Sequence, residues 1–270
     1  GNIKQITRAM QFVAASKLRR AQEATLASRP YSDKLDEVLA DVAAVIDSET
    51  HPLLAEEREG KRLIVLFTSD RGMAGSLNNN TIRFAAQEIA KSTGELELVT
   101  VGRKGTAAMR RGHVPLAASF DGYGDKPTFS DILPLARLIS DDFLAGTYTK
   151  VHLLYPAFVS TLVQRPEMKR LLPVKTNPDS LEGIPGHQFI FEPNPAQVLE
   201  QLMPRYVATR LFQAVLELTA SEQSSRMVAM RSATDNAQEL IDDLTLTYNK
   251  VRQSNITREM IEIATGASST

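Results

Sequence analysis

Between Gly186 and Gly266 this chain contains no glycine, and its last proline is Pro204. That stretch is dense in good helix formers and constrains the fold more than any other part of the chain. Proline is tolerated in a first helical turn. The pattern therefore predicts a short helix leading into Pro204 and a second, very long one over residues 204–264. At ~1.5 Å per residue the second helix spans ~90 Å, several times the diameter of a small domain. No compact domain covers such a length, so the helix needs a long partner.

Residues 1–46 supply one. They are rich in Ala, Lys, Arg, Gln, Glu and Leu, with no glycine after Gly1. Ile3, Ile6, Met10 and Val13 step by three and four, and Leu35, Val38, Val42 and Val45 repeat the stepping, which is the seam spacing of a coiled coil. Pro30 lies between the two sets and is expected to kink or break the helix. On the C-terminal helix the matching seam is Ala237, Leu240 or Ile241, Leu244, Tyr248 and Val251, diluted elsewhere by Ser, Thr, Asn and Gln. Two long helices with narrow apolar seams, one at each end of the chain, are best stabilised by winding around each other antiparallel. A globular domain then sits at one end of a rod. The alternative is two amphipathic helices packed flat on a sheet.

The middle of the chain alternates short apolar runs with helical stretches, an α/β signature. Strands are predicted at 63–67, 96–101, 114–118 and 151–155, and helices at 78–91, 104–111 and 130–144. Three further strand-like pieces, 158–163, 168–174 and 188–191, are separated by Pro and Gly and read as antiparallel additions at one edge. The fold class is thus α/β: a Rossmann-like, doubly wound domain over 56–193, carried by coiled-coil helices in 1–55 and 194–270.

Composition excludes several functions. Cysteine is absent, which removes disulfides, thiolate metal sites and cysteine nucleophiles. The net charge of -1 points to neither nucleic acid nor an acidic membrane surface. No apolar run approaches the ~20 residues of a membrane helix. His51, His113, His152 and His187 lack the i, i+4 spacing of a zinc pair, and there is no Gly-x-Ser-x-Gly elbow. Asp141-Asp142 and Asp242-Asp243 lie in helical stretches where neighbours point ~100° apart, so they form solvated faces rather than catalytic dyads.

Residues 68–78, Thr-Ser-Asp-Arg-Gly-Met-Ala-Gly-Ser-Leu-Asn, follow a strand and precede a helix, a position where α/β folds often bind phosphate. They lack the Gly-Lys-Ser/Thr of a Walker loop. The reading is a tight turn needing glycine dihedrals at Gly72 and Gly75, with Asp70 and Arg71 pairing locally or with a neighbouring subunit. The loops around Gly122 and Gly102 read as surface loops. Within residues 1–30, Lys4, Arg8, Lys17, Arg19, Arg20 and Arg29 face the single acid Glu23, which makes this arm an electrostatic partner site. Phe12 is its only aromatic residue before Tyr31, which disfavours single-stranded nucleic acid.

Residues 6–22, Ile-Thr-Arg-Ala-Met-Gln-Phe-Val-Ala-Ala-Ser-Lys-Leu-Arg-Arg-Ala-Gln, resemble the N-terminal signature of the gamma subunits of F-type ATP synthases. Residues 68–78 resemble that family's Ser-Asp-Arg-Gly loop. Ser221-Glu222-Gln223, residues 226–230, 233–237 and 244–253, then Ile256-Thr257 and Glu262-Ile263, are similar to its C-terminal signature. The resemblance implies a non-catalytic rotor shaft within a ring of alternating alpha and beta subunits. The globular domain lies below, against the epsilon subunit and the c ring, and ATP chemistry belongs to beta. It implies no cofactor, metal or nucleic acid, and membrane association only through the c ring, at the cytoplasmic face of a bacterial plasma membrane.

Carried over by residue, Arg8, Met10 and Lys17 with Arg252 and Gln253 are expected to face the beta subunits, and Tyr206 the c ring and epsilon. Met73-Ala74 stands where the family often has Leu-Cys, and the family's usual start lies about a helical arm upstream of Gly1. The chloroplast-type cysteine insert is absent, as expected of a bacterial-type subunit. The competing readings are an α/β module gripping a nucleotide with loop 68–78 and a coiled-coil nucleic-acid adaptor using the basic arm.

Overall fold

The computed structural model describes residues 2–45, 60–92, 94–174, 192 and 194–267. In chain order the elements are α1 (Asn2–Val45), β1 (Arg62–Phe67), α2 (Leu77–Lys91), β2 (Leu96–Val101), α3 (Arg103–Arg111), β3 (Leu116–Phe120), α4 (Phe129–Leu144), β4 (Lys150–Phe158), β5 (Gln164–Leu172) and α5 (Pro195–Ala267). The predicted strand at 188–191, like His51 and His187, lies outside the described residues.

The sheet has the order β3-β2-β1-β4-β5. β1 pairs in parallel with β2 and β4, β2 in parallel with β3, and β5 closes the edge antiparallel to β4. Alternation along β1 explains the layers. Leu63, Val65 and Phe67 enter one core with α4, α5 and the C-terminal part of α1. Ile64 and Leu66 enter the other with Ala85 of α2 and Met109 of α3. Both faces are covered, so β1 is a continuous apolar run rather than an alternating one.

The rod and the sheet are not separate bodies. Leu199, Met203, Val207, Leu211, Val215 and Leu218 of α5 lie in the same core as Leu35, Leu39 and Val42 of α1 and as the sheet. The edge-to-face contact of Phe129 with Phe212, ring centres 5.7 Å apart, ties α4 to the rod. The predicted coiled coil and its flat-packed alternative are thus each realised over part of its length. Higher up, Lys4 donates to Gln238 and Thr234 donates to Thr7 at 2.8 Å. Lower down, Arg210 donates to Ser32 at 3.3 Å. Advancing along α1 from Lys4 to Ser32 moves the partner back along α5 from Gln238 to Arg210, so the pair is antiparallel.

Neither helix breaks at its proline. Pro30 lies within α1 and Pro204 within one uninterrupted α5, in place of the expected kink and the expected short and long helices. The carbonyls left without an N–H donor belong to Leu26 and Glu200. Both prolines and both of those residues are exposed, so water serves the carbonyls while the opposite face stays packed.

Strands β3, β4 and β5 differ from expectation, β5 running over Gln164–Leu172 in place of 168–174. β3 begins two residues late because Pro115 has no N–H, and only its carbonyl serves the sheet, accepting from Leu98 at 3.0 Å. The piece at 158–163 is the end of β4 and a hairpin turn, closed by Val159 N–H donating to Val163 at 3.2 Å. Pro156 stands opposite Pro166. Neither can donate, so this is a non-hydrogen-bonded pair, the position at which an edge hairpin accommodates proline.

Candidate functional site: the collar and the outward face

The loops at the C-terminal edge of the parallel strands converge on one stretch of α5. Asp70, after β1, accepts N–H bonds from Arg103 and Gly122, both at 3.0 Å, and so joins the loops that follow β2 and β3. Arg103 opens α3, so Asp70 places its own carboxylate where an α/β fold would seat a phosphate. Gly102, at φ 96°, makes the approach possible, since a Cβ there would lie 1.9 Å from the Thr68 carbonyl. Asn78 locks the turn by accepting from Ser69 N–H at 3.1 Å.

From this edge the loops after β1, β3 and β4 reach the rod. Ser225 donates to the Ala74 carbonyl at 2.7 Å and Arg226 to the Gly72 carbonyl at 3.2 Å. Gly75, at φ 52°, passes so close to the rod that a Cβ would meet Ser225 Oγ at 3.2 Å. Asp125, in the loop after β3, accepts from Lys17 of α1 at 2.5 Å and from Gln223 of α5 at 3.0 Å. Ser221 donates to Pro156 at 2.8 Å and Ser224 to Thr161 at 2.6 Å, while Glu217 accepts from Phe158 N–H at 2.8 Å. These bonds form a collar that fixes the domain to both helices.

Charge within the collar is tightly set. Burial pushes the Glu222 carboxyl above its ordinary value, Arg226 at 2.5 Å opposes this, and Asp125 and Asp70 push it up further. Burial also acts on Asp125, but Lys17, with Arg71 and Arg226 behind it, holds that carboxyl below its ordinary value. Tyr123 is pushed up to about 12 by burial and then by Asp131.

The expected contact residues do not form one site. Lys17 is committed to Asp125 inside the chain. Tyr206 is 8% exposed and packs in the main core with Arg210 over its ring at 5.3 Å. Arg8 is exposed, 6.0 Å over the ring of Phe12, and Met10 is half-buried. Arg252 and Gln253 are exposed. They stand roughly 30 Å further along the rod than the level of Arg8, by the helical rise.

The seam itself is corrected. Ile3, Ile6 and Val13 face outward, Ile3 with 71% exposure. The residues toward α5 are Lys4, Thr7, Gln11, Ala14, Leu18 and Ala21, then Thr25, Ser28, Ser32, Leu35, Leu39 and Val42, all buried or half-buried. This second heptad register was masked by its polar and small members. On α5 every side chain from Asp242 to Ile263 is exposed, including Leu244, Tyr248, Val251 and Met260. The rod thus carries an apolar outer face on α1, the mark of a protein contact surface. Sequence reasoning missed Asp125, Glu217 and the serines of 221–225 as grip residues. For the serines the signal was a polar cluster inside the long helix, while Asp125 stands in a loop that carried none.

Among the described residues no group of three His, Cys, Asp or Glu is placed to hold a metal ion, and no helix is long and apolar enough to cross a membrane. The family model described as ATP synthase matches residues 1–270. ATP synthase gamma chains of Dehalococcoides mccartyi and of a Roseiflexus species are each 47% identical, over 98% of this chain and 93% of theirs. That of Desulfitobacterium hafniense is 43% identical over 99% and 94%. The fold is similar to a chain in the central stalk and c-ring structure of the Tetrahymena thermophila mitochondrial ATP synthase, with TM-score 0.65 and 24% identity over 85% of this chain and 99% of that one. A match along the whole length, joined to a collar built from the two motifs at 68–78 and 221–230, places the chain in the ATP synthase gamma chain family.

Proposed function

We propose that this chain is the central rotor shaft of a rotary ATP synthase, carrying torque between an ion-driven c ring and a ring of alpha and beta subunits, and catalysing nothing itself. The observation that carries the reading is the collar. A force on the foot domain reaches α5 through bonds from several separate loops, and reaches α1 through Lys17 and Asp125. A load shared in this way resists shear better than a single contact.

Above the collar, the outward residues of α1 and the bare upper part of α5 meet the beta subunits, with Arg8, Met10, Arg252 and Gln253 at the contact. The foot meets epsilon and the c ring, which is the only link to the membrane, at its cytoplasmic face in a bacterium. Nucleotide chemistry belongs to beta. The alternative of a nucleotide gripped by loop 68–78 loses its support, because Asp70 holds the anion position with its own carboxylate.

Reconstitution tests the reading. Mixing the chain with alpha and beta subunits from its source should give ATP hydrolysis that depends on the chain, and Arg252→Ala with Gln253→Ala should lower it. Equal hydrolysis without the chain, or turnover by the chain alone, would refute the shaft role.

A further inference from the structure

Where the shaft crosses the β4–β5 edge, the α1 seam changes from Leu35, Leu39 and Val42 to the short residues Thr25 and Ser28. Both hydroxyls turn back to their own helix, Thr25 to Ala21 at 2.9 Å and Ser28 to Thr25 at 2.9 Å. Side chains this short leave a cleft of about 340 Å³ between α1, α5 and the sheet. That is the lower end of the roughly 300–1,000 Å³ typical of ligand pockets.

The lining is cationic. Lys169 comes from β5 at the sheet edge and Arg210 from the shaft, and among the described residues the one lining carboxylate is Glu217. Glu217 already accepts the Phe158 N–H. Arg210 is held in place by Gln213 at 3.0 Å, Ser32 at 3.3 Å and the ring of Tyr206. Lys169 lies 5.7 Å from the centre of the Tyr155 ring and 3.2 Å from Glu167. Burial disfavours its charge, but Tyr155 and Glu167 more than restore it.

We infer that this cleft binds a phosphate group, with Lys169 of the foot and Arg210 of the shaft as its charged donors. A guanidinium fork and an ammonium converging from two elements match the oxygens of one tetrahedral anion. The apolar walls of Leu153, Leu171 and Ala214 lower the local dielectric and strengthen that attraction. Bound there, the anion ties β5 to α5 below the collar. The group arrives either as free phosphate or on the polyphosphate tail of a nucleotide.

The test is calorimetric titration of the full chain at constant ionic strength in chloride, with inorganic phosphate in one arm and ADP or ATP in another. Saturable binding is expected, weakened about tenfold by Lys169→Gln and tightened severalfold by Glu217→Gln, with Lys104→Gln on the opposite face of the sheet unchanged. A gain in Glu217→Gln cannot come from misfolding. Binding in the nucleotide arm alone assigns the group to the nucleotide tail. No saturable binding in either arm, or binding indifferent to both Lys169→Gln and Glu217→Gln, overturns the inference.

Discussion

Single carboxylates decide how the foot holds the shaft, and two of them respond to pH in opposite directions. Asp125 is held below its ordinary value, so its stabilising contribution is complete above that value and is lost as pH falls through the lowered one. Glu222 is raised, so its contribution is complete below its ordinary 4.5 and is lost as pH rises through the raised value. Glu222→Gln keeps the shape and removes the titration. Urea denaturation across pH 4–8 should therefore show the stability of wild type relative to Glu222→Gln declining as pH rises. Asp125→Asn removes the charge that Lys17 faces in a half-buried site and should cost about 1–2 kcal/mol at neutral pH, read in the same assay. Neither role was legible in the sequence. Glu222 lies in a helical motif and Asp125 in what reads as a surface loop, and only the fold brings them together.

The helices were legible as elements, their faces less so. Stepping by three and four is shared by the inner register, Ala14, Leu18 and Ala21, and the outer one, Ile3, Ile6 and Val13. Hydrophobicity alone selects the outer one, because a seam between closely packed helices accepts small and paired polar residues while a partner surface demands apolar ones. Stability measurements separate the two. Leu39→Ala, 2% exposed, should cost about 2–5 kcal/mol. Ile6→Ala should stay within about 0.5 kcal/mol in the isolated chain and reveal itself only in assembly with alpha and beta. The prolines make a similar point. Each lies where the orphaned carbonyl meets water, so packing on the other face carries the helix through. Pro30→Ala restores an intrahelical bond and should raise the melting temperature, by at least 1 kcal/mol equivalent.

At the scale of the whole molecule the chain is one rod with a domain wrapped against its lower half. A chain truncated after Ile241 should lose far-UV helical signal in proportion to the residues removed. Its melting temperature should stay nearly unchanged, since every described side chain from Asp242 to Ile263 is exposed. Circular dichroism reads both. The sequence by itself determined the long glycine-free helices, the apolar β1 and β2 and the turn at Gly75, because these follow from propensity and local periodicity. Within that turn Met73, not Gly72, takes the left-handed backbone, at φ 61°. Tertiary structure alone decided which helical face is inner, which prolines are harmless and which polar residues grip. Those depend on what stands opposite each side chain, and a residue's partner across the rod lies up to 234 positions away in the chain, as from Lys4 to Gln238.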